Sequence, residues 1–340
     1  LPRDINVVYF SDTKIRKPFP DEINGFLTNY YSFSKKNKYF PSINFINLNT
    51  ISSCAMIVNR DAYNLIFLLK DSVGNAPYNL CLNRFANKNT LIISDFDNKY
   101  VPNTYKSLLV NRNDDKFELI KFMNSYSNSI MIIDNKVTGD KYEIGEFWKK
   151  EFDKEITEYK TFNTTDSSQA VFSNLLLLDQ SLKRKRKLSR IISKDLDHRP
   201  RAREDIDALF LSVNTQEARS LKPALDYSYY EGMNVFLAND WEEEVQFLKT
   251  DKDLEGVISI EIPFMLPTKL PKELKAFKDK SRNFAIGYDA FEIVLLLEGT
   301  KSLNKITYKG LTGKITFKDK AIIRKSTIFR IKNGVYEYLN

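Results

Sequence analysis

His198 is the only histidine in a chain of 340 residues. It lies in an arginine-rich turn beside Pro200. A Ser-His-Asp triad, a Cys-His pair or a histidine-rich zinc site would have to be built around that one imidazole; a solvated turn histidine is the expectation. Acidic groups come closer to chemistry. Glu204, Asp205 and Asp207, and the run Glu242, Glu243 and Glu244, could in principle supply a general acid and a general base. Both sets flank the start of a strand or helix, where charges are usually solvated or structural. Asp205 and Asp207 are expected to pair with Arg201 and Arg203, pinning the turn ahead of a strand. Gly310-Leu311-Thr312-Gly313-Lys314 has the composition of a phosphate loop without its G-x-x-x-x-G-K-[ST] spacing, and Ile315 stands where the hydroxyl residue belongs. Strand-like alternation follows it, so its amides would not sit at a helix N-terminus. No G-x-G-x-x-G follows a strand. These patterns predict no hydrolase, transferase or nucleotide-dependent activity, no cofactor and no metal.

Charge gives a second lead. The chain carries a formal net charge of +8 and a pI near 9.1, a balance that suits a basic face for an anionic partner. Its most electropositive stretch is Lys183-Arg184-Lys185-Arg186-Lys187, with Arg190 and Lys194 close behind. Leu175, Leu178, Leu182, Leu188, Ile191 and Ile192 form an apolar stripe near helical spacing, so the charges decorate an outer face. No aromatic residue is interleaved for base stacking, which argues against nucleic acid. The face is either solvated or docks an acidic partner or anionic cell-wall polymer, with Lys183, Arg186 and Arg190 as docking candidates. Two cysteines make no disulfide framework. Cys54 and Cys81 lie in the apolar runs CAMIVN and NLCLN, as buried thiols or, in an oxidising compartment, as a cross-strand pair.

Most of the chain alternates short apolar runs with helical patterns. INVVYF precedes a helix around Glu22–Tyr31 and the strand SINFINL. CAMIVN precedes a helix Ala62–Asp71, then NLCLN and TLIISDF. A helix Asp115–Tyr126 leads into SIMIID. Continuous apolar strands each followed by a helix indicate a parallel α/β architecture, and two rounds of the pattern predict two doubly wound lobes. The strand DIDALFLSVN, a helix capped by Thr215 and the strand MNVFLAND form a βαβ unit, which places Asp205–Val213 inside the second lobe. After Lys305, ITYKGLTGKITF, AIIRKSTIFRI and GVYEYLN read as short antiparallel strands. No run approaches the roughly 18 apolar residues of a membrane helix. Residue one is Leu, and no signal peptide or lipobox is visible, so any targeting segment is expected upstream.

Arg199, Pro200, Arg201, Arg203, Asp205 and Asp207, followed by Glu217, Ala218, Arg219, Lys222 and Pro223, resemble an arginine-rich turn and "EAR-x-x-KP" helix of a known family. It is that of penicillin-binding protein activators of the LpoA (YraM) type, in their C-terminal, binding-protein-like domain. Further segments follow in the family's order: Ile23-Asn24-Gly25-Phe26, Cys81-Leu82-Asn83, Leu254-Glu255-Gly256-Val257 with Ile262-Pro263, and Gly287-Tyr288-Asp289-Ala290 as a helix start. Gly310-Leu311-Thr312-Gly313 with Ile323-Arg324 closes the series.

The resemblance implies a type I periplasmic-binding-protein fold with three inter-lobe crossovers. Lobe one would comprise residues 1–125 and 257–304, and lobe two residues 126–256 and 305–340. It implies a periplasmic, non-enzymatic regulator that docks on a class A penicillin-binding protein. The outer membrane would be reached through an anchor outside this chain. In such a fold ligands sit at the carboxyl ends of strands, where the cleft candidates are Ser11, Asp12, Asn59, Arg60, Asn83 and Arg84. The family's glycine-bearing loops are replaced here by Tyr9-Phe10-Ser11-Asp12 and Val58-Asn59-Arg60-Asp61. Bulky Tyr9 or Phe10 and charged Arg60 would narrow the cleft and weigh against capture of a small solute. If the basic helix is only a solvated face, the partner would meet the rim around Arg60, Arg84 and Trp241. The alternatives are a periplasmic solute receptor, or a scaffold of the same fold in an envelope or secretion assembly.

Overall fold

The computed structural model describes residues 4–11, 19–48, 62–69, 89–95, 106–110, 112–135, 141–163, 165–228, 232–238, 252–266, 274, 281–299, 306–318 and 321–339. The chain forms two compact units, residues 1–114 with 262–326 and residues 115–261 with 327–340, and passes between them three times.

Unit one is built on strands β1 (Asp4–Tyr9), β2 (Ser42–Asn47), β3 (Tyr63–Leu68), β4 (Thr90–Ser94) and β5 (Lys106–Leu109). Their spatial order is β2-β1-β3-β4-β5, all parallel. The run YNLIFL of β3 is buried at every position, as befits an inner parallel strand covered on both faces. The expected helix Ala62–Asp71 is therefore corrected to a strand. A short, unbroken apolar run has no periodicity to separate the two, and pairing with β1 and β4 decides it.

Helix α1 (Asp21–Asn37) crosses a later helix at residues 282–299 at very close range. A Cβ on Gly25 would lie 1.9 Å from the Phe284 carbonyl oxygen, and one on Gly287 1.7 Å from that of Glu22. Only glycine allows the two backbones to meet there. Asn29 Nδ2 donates to the Tyr288 oxygen at 2.8 Å, and the Phe26 and Phe291 rings meet edge to face at 5.3 Å. Both glycines lie in segments that carried the family resemblance. Gly287, however, is inside its helix, which begins at Arg282, and not at its start.

Unit two repeats the plan. Helix α2 (Arg112–Asn124) belongs to it, since Leu119, Ile120 and Met123 pack in its core. The elements β6 (Ile130–Asn135), α3 (Lys141–Phe152), β7 (Ile156–Phe162), α4 (Ser168–Leu175), α5 (Leu178–Ile192), β8 (Ala208–Ser212), α6 (Thr215–Tyr227), β9 (Asn234–Leu237) and β10 (Ile258–Glu261) follow. The order β7-β6-β8-β9-β10 reproduces that of unit one. Strand β8 is buried throughout, with Leu209 and Leu211 at 0% exposure. Each such side chain contributes about 1.5–3 kcal/mol on burial. The expectation of an inner strand here is met.

After β10 the chain returns to unit one and forms α7 (Arg282–Gly299), β11 (Thr307–Lys309), β12 (Lys314–Lys318) and β13 (Ala321–Lys325). β13 pairs in parallel with β5, and β12 and β11 extend the first sheet antiparallel. The return to unit two, expected near Lys305, therefore falls after Ser326. Alternation predicted those strands correctly but carries no information about which sheet they join. Only β14 (Thr327–Lys332) and β15 (Val335–Tyr338) complete the second sheet.

Candidate functional site

In a sheet of order 2-1-3-4-5, the connections leave in opposite directions from the first and third strands, and the crevice there is the default ligand position. In unit two these strands are β6 and β8. β6 ends on Asp134 and Asn135, and β8 on Ser212, all three buried. Tyr159 on β7 donates its hydroxyl to Asp134 Oδ2 and contacts Thr161 Oγ1 at 3.1 Å. Asp134 Oδ1 is buried and has no hydrogen-bond partner among the described residues. Asn135 Nδ2 donates to Glu217 Oε2 at 2.9 Å.

Glu217 also closes the N-terminus of α6. Its Oε2 accepts the Asn214 amide at 3.0 Å, while Asn214 Oδ1 accepts the Glu217 amide at 2.8 Å. This reciprocal capping box makes Asn214 the cap, where Thr215 was expected. The helix end is thus satisfied by its own residues and faces an acidic crest. Two buried carboxylates, with no nucleophile–base pair beside them among the described residues, suit acceptance of donors. The sequence signal for this crest was a polar pair directly after the apolar run IMII.

The arginine-rich turn before β8 is structural. Arg203 Nε and a terminal nitrogen hold Asp205 at 2.6 and 2.7 Å, and Arg203 also reaches Glu158 at 2.6 Å. The Arg203 hydrogen bond is the main cause that holds the Asp205 carboxyl below its usual range. Asp207 instead accepts the amides of Asn128 and Ser129, so the expected pairing of Asp207 with an arginine gives way to backbone capping of β6. His198 Nε2 lies 3.2 Å from Ser181 Oγ, and Ser181 Oγ accepts the Arg201 amide at 3.1 Å. Half-buried, His198 ties the turn to α5 and is no solvated loop residue.

Lys183, Arg186 and Arg190 are exposed on α5, as expected of a decorated face. The apolar stripe is only partly covered: Leu175 and Leu178 are buried, whereas Leu188, Ile191 and Ile192 are 52%, 68% and 47% exposed. Among the cleft candidates, Ser11 follows β1 and is locked by Asn47, which accepts its amide and donates to its carbonyl, both at 3.1 Å. Asp12, Asn59, Arg60, Asn83 and Arg84 lie outside the described residues, as do Trp241, Cys54 and Cys81. Tyr9 is buried in the core of unit one against Phe19, and Phe10 is 2% exposed.

The phosphate-loop-like segment has a different use. Asp289 on α7 accepts the Leu311 amide on Oδ1 at 2.8 Å, and the Thr312 amide and hydroxyl on Oδ2 at 2.7 and 2.6 Å. Gly310 fits because a Cβ would lie 2.3 Å from that carboxylate. Burial pushes the Asp289 carboxyl up to about 6 in spite of these donors. The turn latches β11 and β12 to α7. Among the described residues, no group of three or more His, Cys, Asp or Glu is placed to hold a metal, and no helix is long and apolar enough to cross a membrane.

The geometry has counterparts. The C-domain of Haemophilus influenzae LpoA (YraM), described as a regulator of PBP1A, has a TM-score of 0.63 at 13% identity, covering 99% of this chain and 100% of that one. A putative branched-chain amino acid ABC transporter protein from Rhodospirillum rubrum reaches 0.66 at 11% identity, with complete coverage of both chains. These likenesses establish the type I periplasmic-binding-protein-like fold. The penicillin-binding protein activator LpoA of Vibrio vulnificus is 20% identical over 52% of this chain and 30% of its own length. The chain spans about a third of the length of the curated relatives it matches. A family profile described as LppC putative lipoprotein matches residues 144–334. That match takes in more than half of the sequence, and the chain belongs to this LppC, or LpoA-type, family.

Proposed function

We propose that this chain is a non-enzymatic regulator of peptidoglycan synthesis, acting in the periplasm by binding and activating a class A penicillin-binding protein. Family membership carries the reading: relatives matched over 52% and 60% of this chain are named penicillin-binding protein activators. The chemistry of the site agrees with it. Among the described residues, three of the candidate acid–base groups hold the fold: His198 bonds Ser181, Asp205 an arginine, and Asp207 the backbone before β6. A regulator acts through surfaces, and such a division of labour leaves them free to vary. The family description as a putative lipoprotein supports a place in the cell envelope; on this reading the full-length protein is tethered to the inner face of the outer membrane.

Affinity capture from envelope extract, read by mass spectrometry, tests the reading directly. A class A peptidoglycan synthase should be enriched over a control chain; its absence from the captured proteins counts against the proposal. One observation favours a second reading, a solute receptor: Asp134 Oδ1 is a buried acceptor left open at the switch point of the second sheet. A rise in melting temperature with amino acids or short peptides, lost in Asp134→Ala, would favour that alternative.

A further inference from the structure

The second half of α5 is cationic and apolar at once. On an ideal helix Leu188, Ile191 and Ile192 fall within an arc of about 100°. Arg184 lies inside that arc, and Lys187, Lys183 and Arg190 follow in order beside it. Residues 183–203 hold ten Lys and Arg against Asp195 and Asp197, while the whole chain has 52 basic and 44 acidic residues. The rest of the molecule carries equal numbers of each sign, so the net charge belongs to this one segment. Of the α5 cations, only Lys185 has an ion-pair partner among the described residues, Asp195 at 2.6 Å. The returning segment anchors the first half of the region, through Arg201 on Ser181 and the Arg203 amide on the Leu176 carbonyl at 3.1 Å. Beyond Ser181 the apolar arc continues with Leu188, Ile191 and Ile192 uncovered.

We propose that this half of α5 binds the surface of an anionic phospholipid bilayer. It would lie in the headgroup plane with Leu188, Ile191 and Ile192 inserted and the surrounding Lys and Arg on lipid phosphates. A bilayer offers negative charge and hydrocarbon within about 5–10 Å of depth, which a single helix with mingled cations and aliphatics can use without a matching groove. Long Lys and Arg stems let the charges stay at phosphate level while the aliphatic tips go deeper. An acidic protein face would satisfy the cations, but it would also need a shaped apolar slot beside its carboxylates.

The test is co-sedimentation of the 340-residue chain with vesicles of phosphatidylethanolamine and phosphatidylglycerol, against vesicles of phosphatidylcholine alone. Binding should require phosphatidylglycerol and weaken at least about tenfold between roughly 0.1 and 1 M salt, as the screening length shortens. The triple reversal K183E/R184E/K187E, at the exposed cations in and next to the apolar arc, should weaken it about a hundredfold or more. L188S/I191S/I192S, which keeps every charge, should weaken it about tenfold. Both variants alter exposed residues and should keep the parent circular dichroism and melting temperature. Three results would each overturn the proposal: no binding to anionic vesicles, equal binding to both lipids, or full binding by the serine variant. Retention by polyglutamate without vesicle binding would do so too and would assign the face to an acidic polymer. No synthase is present in this assay, so its failure leaves the synthase reading standing, and failure of capture leaves this one standing.

Discussion

The two sheets share one strand order and end in opposite chemistry. In unit one, the strand that opens the switch point runs into Tyr9 and Phe10, both buried, and the third strand into Leu68 and Leu69, also buried. In unit two, the same places hold Asp134, Asn135 and Ser212, with Asn214 and Glu217 capping the next helix. Unit one is closed by backbone-level contacts, the Gly25–Gly287 crossing and the Asp289 latch. Unit two leaves a polar crest and a half-covered basic helix. Topology fixes where a site is placed; the residues at strand ends decide whether that place is apolar core or buried polar chemistry.

The comparison breaks most completely at β8. Leu211→Asp puts an unpaired charge into a fully buried strand and should cost roughly 4–5 kcal/mol or more. Chemical denaturation followed by fluorescence and circular dichroism should show unit two lost while a transition from unit one persists. Loss of both together would show that the units fold as one. A smaller loss is expected in unit one from Gly287→Ala, whose Cβ would lie 1.7 Å from the Glu22 carbonyl oxygen. Separation of α1 from α7 should cost about 1–3 kcal/mol, measured by the denaturation midpoint.

Asp289→Asn puts an NH2 donor where a carboxylate oxygen accepts from Leu311 or Thr312 and should cost about 1–3 kcal/mol at neutral pH. Its pH dependence is more telling. Burial raises the folded carboxyl from 3.8 to about 6, so between those values the folded state binds the extra proton. The stabilisation is full below pH about 4 and is lost as pH rises through about 6, by up to about 3 kcal/mol. The asparagine variant should lack that slope in melting temperature against pH. Smallest of all, K183E/R186E/R190E should change folding stability by less than about 1 kcal/mol, because exposed charges contribute little. A larger change would mean that α5 is held by its cations.

Unit two was the more legible of the pair. The runs IMII and ALFLSV, each followed by polar residues and a helix pattern, announced β6 and β8 at their correct places. In unit one, the run at Tyr63 points to the wrong element, because a doubly covered strand and a buried helix share the same unbroken apolar signal. The row Asn44–Asn6–Asn64, bonded at 3.2 and 2.9 Å across three parallel strands, depends on register, which no single strand reveals. The Asp289 latch joins two segments that were each recognised separately; what hid it was the pairing. The stripe on α5 was seen whole, but periodicity cannot show that its last turns lack a covering element. Asp12, Asn59 and Arg60, which the sequence singles out, lie outside the described residues.

On the proposed reading, this chain acts by stimulating a synthase and performs no turnover of its own. The direct measurement is glycan polymerisation and cross-linking from lipid II by a purified class A penicillin-binding protein, with and without this chain. Added chain should raise the synthase rate saturably, and the chain alone should leave lipid II unchanged. An unaltered synthase rate at saturating chain, or turnover by the chain itself that a single substitution abolishes, would contradict it.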